Sequence, residues 1–184
     1  MADLFLIAPL DAEPATFGAV LKRLLADTPA RVLLVPRGNH AENAYKTLVK
    51  SLGPLAQRHN VAVLIEGQPG DVRMLGADGL HVSGGRAALG EAIEALKPDF
   101  IVGAGGIATR HEAMEAGELD VDYVFFGPLS GPIEPAAREL ARWWAETMTV
   151  PSVLSDPEAD LATADAEGCE FVALGPKLWQ AGVA

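Results

Sequence analysis

Two stretches, Gly76-Ala-Asp-Gly-Leu-His-Val82 and Asp122-Tyr-Val-Phe-Phe-Gly-Pro128, decide the fold. Each reads as a short buried strand that ends on small or polar residues. Working outward, the same kind of apolar run recurs along the chain. It appears at Leu4–Ala8 before Pro9, Arg31–Val35 before Pro36, Val61–Ile65, Gly79–Val82, Phe100–Gly103, Asp122–Phe126, Ser152–Leu154 and Glu170–Leu174. Helix-like segments separate these runs. Thr16–Ala26 places Phe17, Val20, Leu21, Leu24 and Leu25 on one face. His40–His59 does the same with Tyr45, Leu48, Val49, Leu52 and Leu55, and Gly53-Pro54 marks a candidate kink. Gly70–Leu75 fits a short helical turn. Arg86–Leu96 stops before Pro98, and Thr109–Ala116 has Gly117 as its expected C-cap. Glu134–Met148 follows. Pro157–Glu167 is also expected to be a helix, with Asp156 as N-cap and Pro157 at the first helical position. A short helix from Pro176 closes the chain.

Alternating strand–helix units with strands that are apolar throughout predict a parallel sheet covered on both faces. The fold read from this is α/β, a compact (β/α)8 or TIM barrel, with residues 1–184 forming a single domain. At 184 residues the chain is short for such a barrel, where about 250 is usual, so the βα loops must be short. An open doubly wound sheet is the competing architecture. Its phosphate-binding glycines would follow the first strand, and Ala8-Pro-Leu-Asp11 contains none.

The net charge of −11 excludes the electrostatic footprint of a nucleic-acid binder. A phosphorylated small ligand stays compatible with it, because backbone N–H groups and a few local cations act at short range. Cys169 is the single cysteine, so no intramolecular disulfide forms, and it reads as a small buried residue. The N-terminus lacks the charge and hydropathy pattern of a secretory signal, and no apolar run reaches transmembrane length. A cytoplasmic protein without membrane contact is expected.

In a (β/α)8 barrel the chemistry sits at the strand C-termini. The candidates there are Arg37 and Glu66 as catalytic groups. Arg37 would clamp a phosphate. Glu66 ends an apolar strand, where it would hold a metal or a ring nitrogen, or act as a base whose pKa burial raises. The plain alternative pairs Glu66 with Arg37 or Arg86. His81, inside its strand, is either a packed barrel histidine or a ligand contact. Ser83 and Gly84 open a helix whose N–H groups suit an anion. Gly103, Gly105 and Gly106, in Gly103-Ala-Gly-Gly-Ile107, form the most phosphate-like loop in the chain. Gly127 and Ser130 are expected to line the pocket, and Lys177 to add charge near a C-terminal phosphate subsite. The adjacent Trp143 and Trp144 point about 100° apart, which suits core packing or a subunit interface better than ligand stacking. A homo-oligomer through the outer helices is expected. As a lone carboxylate Glu66 makes a weak magnesium site, so no metal ligands are assigned and the cofactor is left unknown.

Gly76–Val82, Gly103, His111-Glu-Ala and Asp122–Pro128, with the spacing between them, resemble the thiamine phosphate synthase/TenI family. Leu4–Ile7 and Gly168–Leu174 resemble that family's first and last strands. The resemblance implies a (β/α) barrel that couples a pyrimidine diphosphate to a thiazole phosphate with magnesium, and hence a phosphorylated small-molecule ligand. Matched residue by residue, the family's second-strand Gln-x-Arg-x-Lys keeps only Arg37. Its Asn-Asp becomes Glu66-Gly67, and its metal-binding Asp falls in Ser83-Gly-Gly-Arg86. Its residue after the fifth strand becomes Gly105 or Ala108. The Thr-x-Thr-Lys loop becomes Leu129–Pro132, and Gly-Gly-Ile becomes Leu154-Ser-Asp156. A divergent member is expected, with most matching catalytic residues absent. A non-catalytic ligand- or protein-binding relative, and another phosphate-ligand barrel isomerase, are the alternatives.

Overall fold

The apolar runs pair side by side into one closed sheet of eight parallel strands in the order β1 to β8. The computed structural model describes residues 2–181. The strands are β1 (Asp3–Ile7), β2 (Val32–Val35), β3 (Ala62–Ile65), β4 (Gly79–Val82), β5 (Ile101–Ile107), β6 (Tyr123–Phe126), β7 (Ser152–Ser155) and β8 (Phe171–Leu174). The helices are α1 (Pro14–Asp27), α2 (Glu42–Gln57), α3 (Pro69–Leu75), α4 (Gly85–Leu96), α5 (Arg110–Gly117), α6 (Pro135–Thr147) and α7 (Pro176–Ala181). β1 closes the barrel on β8, with Phe5 opposite Ala173. The predicted TIM barrel is therefore the observed fold.

Strand side chains alternate between two cores, as a period of two requires. Phe5, Ile7, Leu34, Leu64, Tyr123, Phe125, Val153 and Ala173 fill the barrel interior. Leu6, Leu33, Val63, Leu80, Val102, Val124 and Leu154 face outward and are covered by the helices. Both sets are buried, which is why the strands read as unbroken apolar runs.

Three expectations are corrected. Residues 157–167 form turns rather than a helix. Asp160 Oδ1 accepts from the backbone N–H of Ala162 and Thr163, and the Thr163 hydroxyl donates to the same oxygen. Such side-chain bonds offer the backbone a local alternative to helical hydrogen bonding. Asp156 is no N-cap. Its carboxylate pairs with Arg138 of α6. Gly117 lies inside α5, and the following residue, Glu118, is right-handed. A Cβ on Gly117 would stand 2.5 Å from Trp144 Cη2, so this glycine makes room for an indole instead of turning the chain. Trp144 is buried and donates Nε1–H to Val150 O at 2.9 Å, while Trp143 lies partly exposed beside it. The indole pair is thus mainly core packing. Cys169 is buried, as expected.

Candidate functional site

The C-terminal mouth of the barrel gathers its polar groups around β2 to β6. Ile65 of β3 pairs with Leu80 of β4, so Glu66 and His81 follow side by side on neighbouring strands. Glu66 lies two residues beyond the inward-facing Leu64 and shares its direction. Both residues contribute to a cavity of about 300 Å³ whose rim includes Gly67, Gln68, Ser83 and Gly84.

Glu66 is held by the backbone. Its Oε2 accepts from Arg37 N–H at 2.7 Å. Its own N–H donates to the Tyr45 hydroxyl at 3.0 Å, and that hydroxyl donates to Val35 O at 2.6 Å. Tyr45 therefore ties the ends of β2 and β3 together from α2. Sequence periodicity placed Tyr45 only in an apolar stripe. Its signal was the hydroxyl itself, since a buried phenol needs a partner. Burial raises the Glu66 carboxyl above the usual range, and the Arg37 N–H opposes that shift.

Arg37 serves Glu66 through its main chain. Its guanidinium lies 5.2 Å from the Tyr45 ring centre, with Nε–H donating to His40 O at 3.1 Å. The alternative pairing of Glu66 with Arg86 does not occur. Arg86 reaches Glu118 at 3.4 Å and Glu115 O at 3.2 Å.

His81 is buried. Its Nδ1 shares a 2.7 Å hydrogen bond with the Tyr123 hydroxyl, and its ring packs edge-on to Phe125 at 5.0 Å. Burial depresses its pKa to about 4, so the imidazole is neutral at physiological pH. Burial, and then the nearby Glu66 charge, raise the Tyr123 phenol.

The glycines of Gly103–Ile107 explain how this pair forms. The glycine content of this stretch suggests a loop, but it continues β5 to Ile107. Gly103 is the register partner of both His81 and Tyr123. With no side chain between them, the two rings meet across β5, 5.9 Å apart and stacked. A Cβ on Gly103 would fall within the Tyr123 ring, and one on Gly105 would meet His81 Nε2. These two glycines thus accommodate aromatic rings. Gly106 turns the strand end at φ +68°, close to Ser83.

The remaining candidates lie elsewhere on the rim. Gly127, at φ +100°, packs against Ser155, whose hydroxyl donates to Pro128 O at 2.6 Å. Ser130 borders a separate groove of about 520 Å³ with Pro9, Leu10, Phe17 and Trp179. Lys177 pairs with Asp160 at 3.1 Å. Glu66, His81, Ser83 and Gly84 therefore share one cavity, with Gly105 and Gly106 packed behind His81 and Ser83 and Arg37 joined to Glu66 only by its main chain, whereas Ser130 and Lys177 are set apart from them.

Magnesium, which coupling chemistry implies, has no all-protein cage among the described residues and would need substrate phosphates to complete its shell. Among the described residues, no group of three or more His, Cys, Asp or Glu side chains converges on a metal position. Two carboxylates line the cavity, the partly buried Glu66 and the exposed Glu91. Asp71 caps α3 through Gln68 N–H at 2.9 Å, and Asp156 is paired with Arg138.

Fold and site together define a (β/α)8 barrel with its polar groups at the C-terminal mouth. The chain belongs to the thiamine monophosphate synthase (TMP-TENI) family, which matches residues 4–174. A thiamine-phosphate synthase of Rhodospirillum centenum is 34% identical over 155 residues, covering 82% of this chain and 75% of that protein. One from Erythrobacter litoralis is 30% identical over 190 residues, covering 96% and 88%. Among solved structures, thiamine phosphate pyrophosphorylase from Pyrococcus furiosus superposes with a TM-score of 0.76 at 19% identity, covering 98% of this chain and 91% of that one. The YdjI aldolase from Escherichia coli K12 gives 0.67 at 16% identity, covering 98% and 77%. At such identities these likenesses speak for the fold alone, which hosts many chemistries. No helix among the described residues is long and apolar enough to cross a membrane.

Proposed function

We propose that this chain binds a phosphorylated thiazole- or pyrimidine-type small molecule at the barrel mouth, as a divergent family member that lacks most of the coupling machinery. The observation that carries this reading is the setting of Glu66. A partly buried carboxylate with a raised pKa stands beside a neutral, tyrosine-bonded histidine in one cavity. That environment suits hydrogen bonds to the edge of a flat nitrogen heterocycle, with the ring against the apolar lining of Pro69, Leu80 and Val82. The cavity offers a metal–diphosphate complex two carboxylates, Glu66 and Glu91, and no cation from its lining, while binding an uncharged ring needs no more than the groups present. Binding without turnover is therefore favoured over coupling.

A second reading is isomerisation of a phosphorylated ligand. It draws on the opposite shifts of Glu66 and His81, the pattern by which acid and base roles separate in one site.

The test combines binding with turnover. Thiazole phosphate is titrated into the protein by calorimetry. In parallel, the pyrimidine diphosphate, thiazole phosphate and magnesium are incubated with the protein, and thiamine phosphate is followed by mass spectrometry beside an active relative. Binding with little or no product is expected. Product at the relative's rate would overturn the divergence, and absence of binding to either heterocycle would overturn the site.

A further inference from the structure

We infer that Tyr123 is a positioning residue that holds His81 as its Nε2–H tautomer, so that the cavity presents an N–H donor beside the Glu66 carboxylate and takes a ligand with a bare acceptor atom against His81. The ligand half of this inference rests on the reading of the mouth as a heterocycle site. The tautomer half stands without it.

The Tyr123 hydroxyl has one partner among the described residues, His81 Nδ1 at 2.7 Å. The phenol ring is enclosed. It stacks on His81 at 5.9 Å, packs edge-on to Phe5 at 5.7 Å and belongs to the barrel interior, outside the residues that line the cavity. Two arrangements of the shared proton are conceivable. If Nδ1–H donated, the phenol proton would be buried with no acceptor, and a desolvated donor left unpaired is the expensive arrangement. The phenol keeps its own proton at neutral pH, the more so because burial and the nearby Glu66 charge raise its pKa. It therefore donates, and Nδ1 accepts. In a neutral imidazole with Nδ1 bare, the proton is on Nε2.

Nε2 is the atom that a ligand can reach. His81 is only 3% exposed, yet it lines the cavity. Its Nε2 has no hydrogen-bond partner among the described residues, where the one fully enclosed side-chain nitrogen or oxygen without a partner is His40 Nε2. His81 Nε2 is therefore uncovered. Gly105 keeps it so, because a Cβ at that position would lie 2.3 Å from Nε2.

Glu66 completes the pair. Its Oε2 is bound to Arg37 N–H at 2.7 Å, which leaves Oε1 as an acceptor. His81 donates and Glu66 accepts, so a matching ligand edge brings a bare nitrogen or oxygen to His81 and an N–H or O–H to Glu66. The other tautomer would show two neighbouring acceptors and select a ligand that only donates. Tyr123 thus sets the polarity of the site from outside it.

The experiment reads the tautomer directly. Histidine is labelled with nitrogen-15, and two-bond correlations to the ring protons report which nitrogen of His81 bears the proton, with His81→Gln assigning the signals. Wild type, Tyr123→Phe and Glu66→Gln are compared at neutral pH, with circular dichroism as the check on folding. The wild type and Glu66→Gln are expected to show Nε2–H alone. In Tyr123→Phe the ratio of Nε2–H to Nδ1–H should fall at least about fivefold, the worth of one hydrogen bond. A wild-type signal from Nδ1–H would overturn the inference, as would an unchanged ratio in a folded Tyr123→Phe. The wild-type tautomer decides by itself if that variant does not fold. Thiazole phosphate, whose ring nitrogen is a bare acceptor, is then added. It should shift the His81 Nε2 signal and bind Tyr123→Phe at least about fivefold more weakly. Binding that leaves the Nε2 signal unmoved would overturn the ligand half. If neither thiazole phosphate nor the aminopyrimidine binds the wild type, the reading of the mouth fails and the ligand half falls with it, while the tautomer measurement still judges Tyr123.

Discussion

Acidification should destabilise this protein through His81 before it affects most other groups. His81 is fully enclosed between Tyr123, Phe125 and the β5 glycines, and its pKa is depressed to about 4. In the unfolded chain a histidine titrates near 6.5. Above that value the ring is neutral in both states and contributes no pH dependence. Between about 6.5 and 4 the unfolded chain takes up a proton that the native state refuses, so stability falls as pH falls. The difference is about 2.5 units, and at about 1.36 kcal/mol per unit the full loss is about 3 kcal/mol, of which about 2 kcal/mol has gone by about pH 5. Glu66 works in the opposite sense. Its folded pKa is raised, so protonation on acidification relieves a native-state penalty. The His81 contribution must therefore be isolated by difference. Urea unfolding is followed by the fluorescence of the buried Trp144 and Trp179 from pH 7.5 to 4.5, for the wild type and for His81→Gln. The wild type should lose about 2 kcal/mol more than the variant between pH 7.5 and 5. A wild-type curve parallel to that of the variant, or an NMR titration placing His81 near 6.5, would refute the enclosure of this ring.

Two substitutions test the architecture around the same site. Gly103→Ala places a methyl group in the Tyr123 ring, and overpacking of this kind should cost at least about 2 kcal/mol in urea unfolding and break the His81–Tyr123 contact, visible as a shifted His81 resonance. Tyr45→Phe leaves Val35 O and Glu66 N–H without their partner and should cost about 1–3 kcal/mol. The same variant should move the Glu66 carboxyl resonance and weaken ligand binding, whereas a stability loss alone would mean that Tyr45 only packs.

The barrel was legible in the sequence because both faces of every strand are covered. Leu33 and Leu34 point to opposite cores and are both fully buried, so their strand reads as a continuous apolar run. The helix expected at 157–167 was not legible as turns. Its apolar spacing is helical, while the bonds of Asp160 and Thr163 that override it depend on side-chain geometry. At the site, Arg37 and Glu66 lie just beyond the ends of β2 and β3. Their contact was not legible, because Arg37 meets Glu66 through an amide that every residue carries. Gly103 and Gly105 carried the signature of a flexible anion loop. Nothing local shows that two rings from flanking strands occupy the space above them.

What the sequence determined by itself was the succession of strands and helices, the closure they imply and the strand ends at which polar groups collect. These follow from periodicity and burial, which are properties of neighbouring residues. The tertiary structure decided that His81 and Tyr123 meet over Gly103, that Tyr45 holds Glu66, and that Arg86, Arg138 and Lys177 are each paired with a carboxylate. Those contacts join residues far apart in the chain. They exist because barrel closure fixes the register between strands, which is a property of the whole sheet.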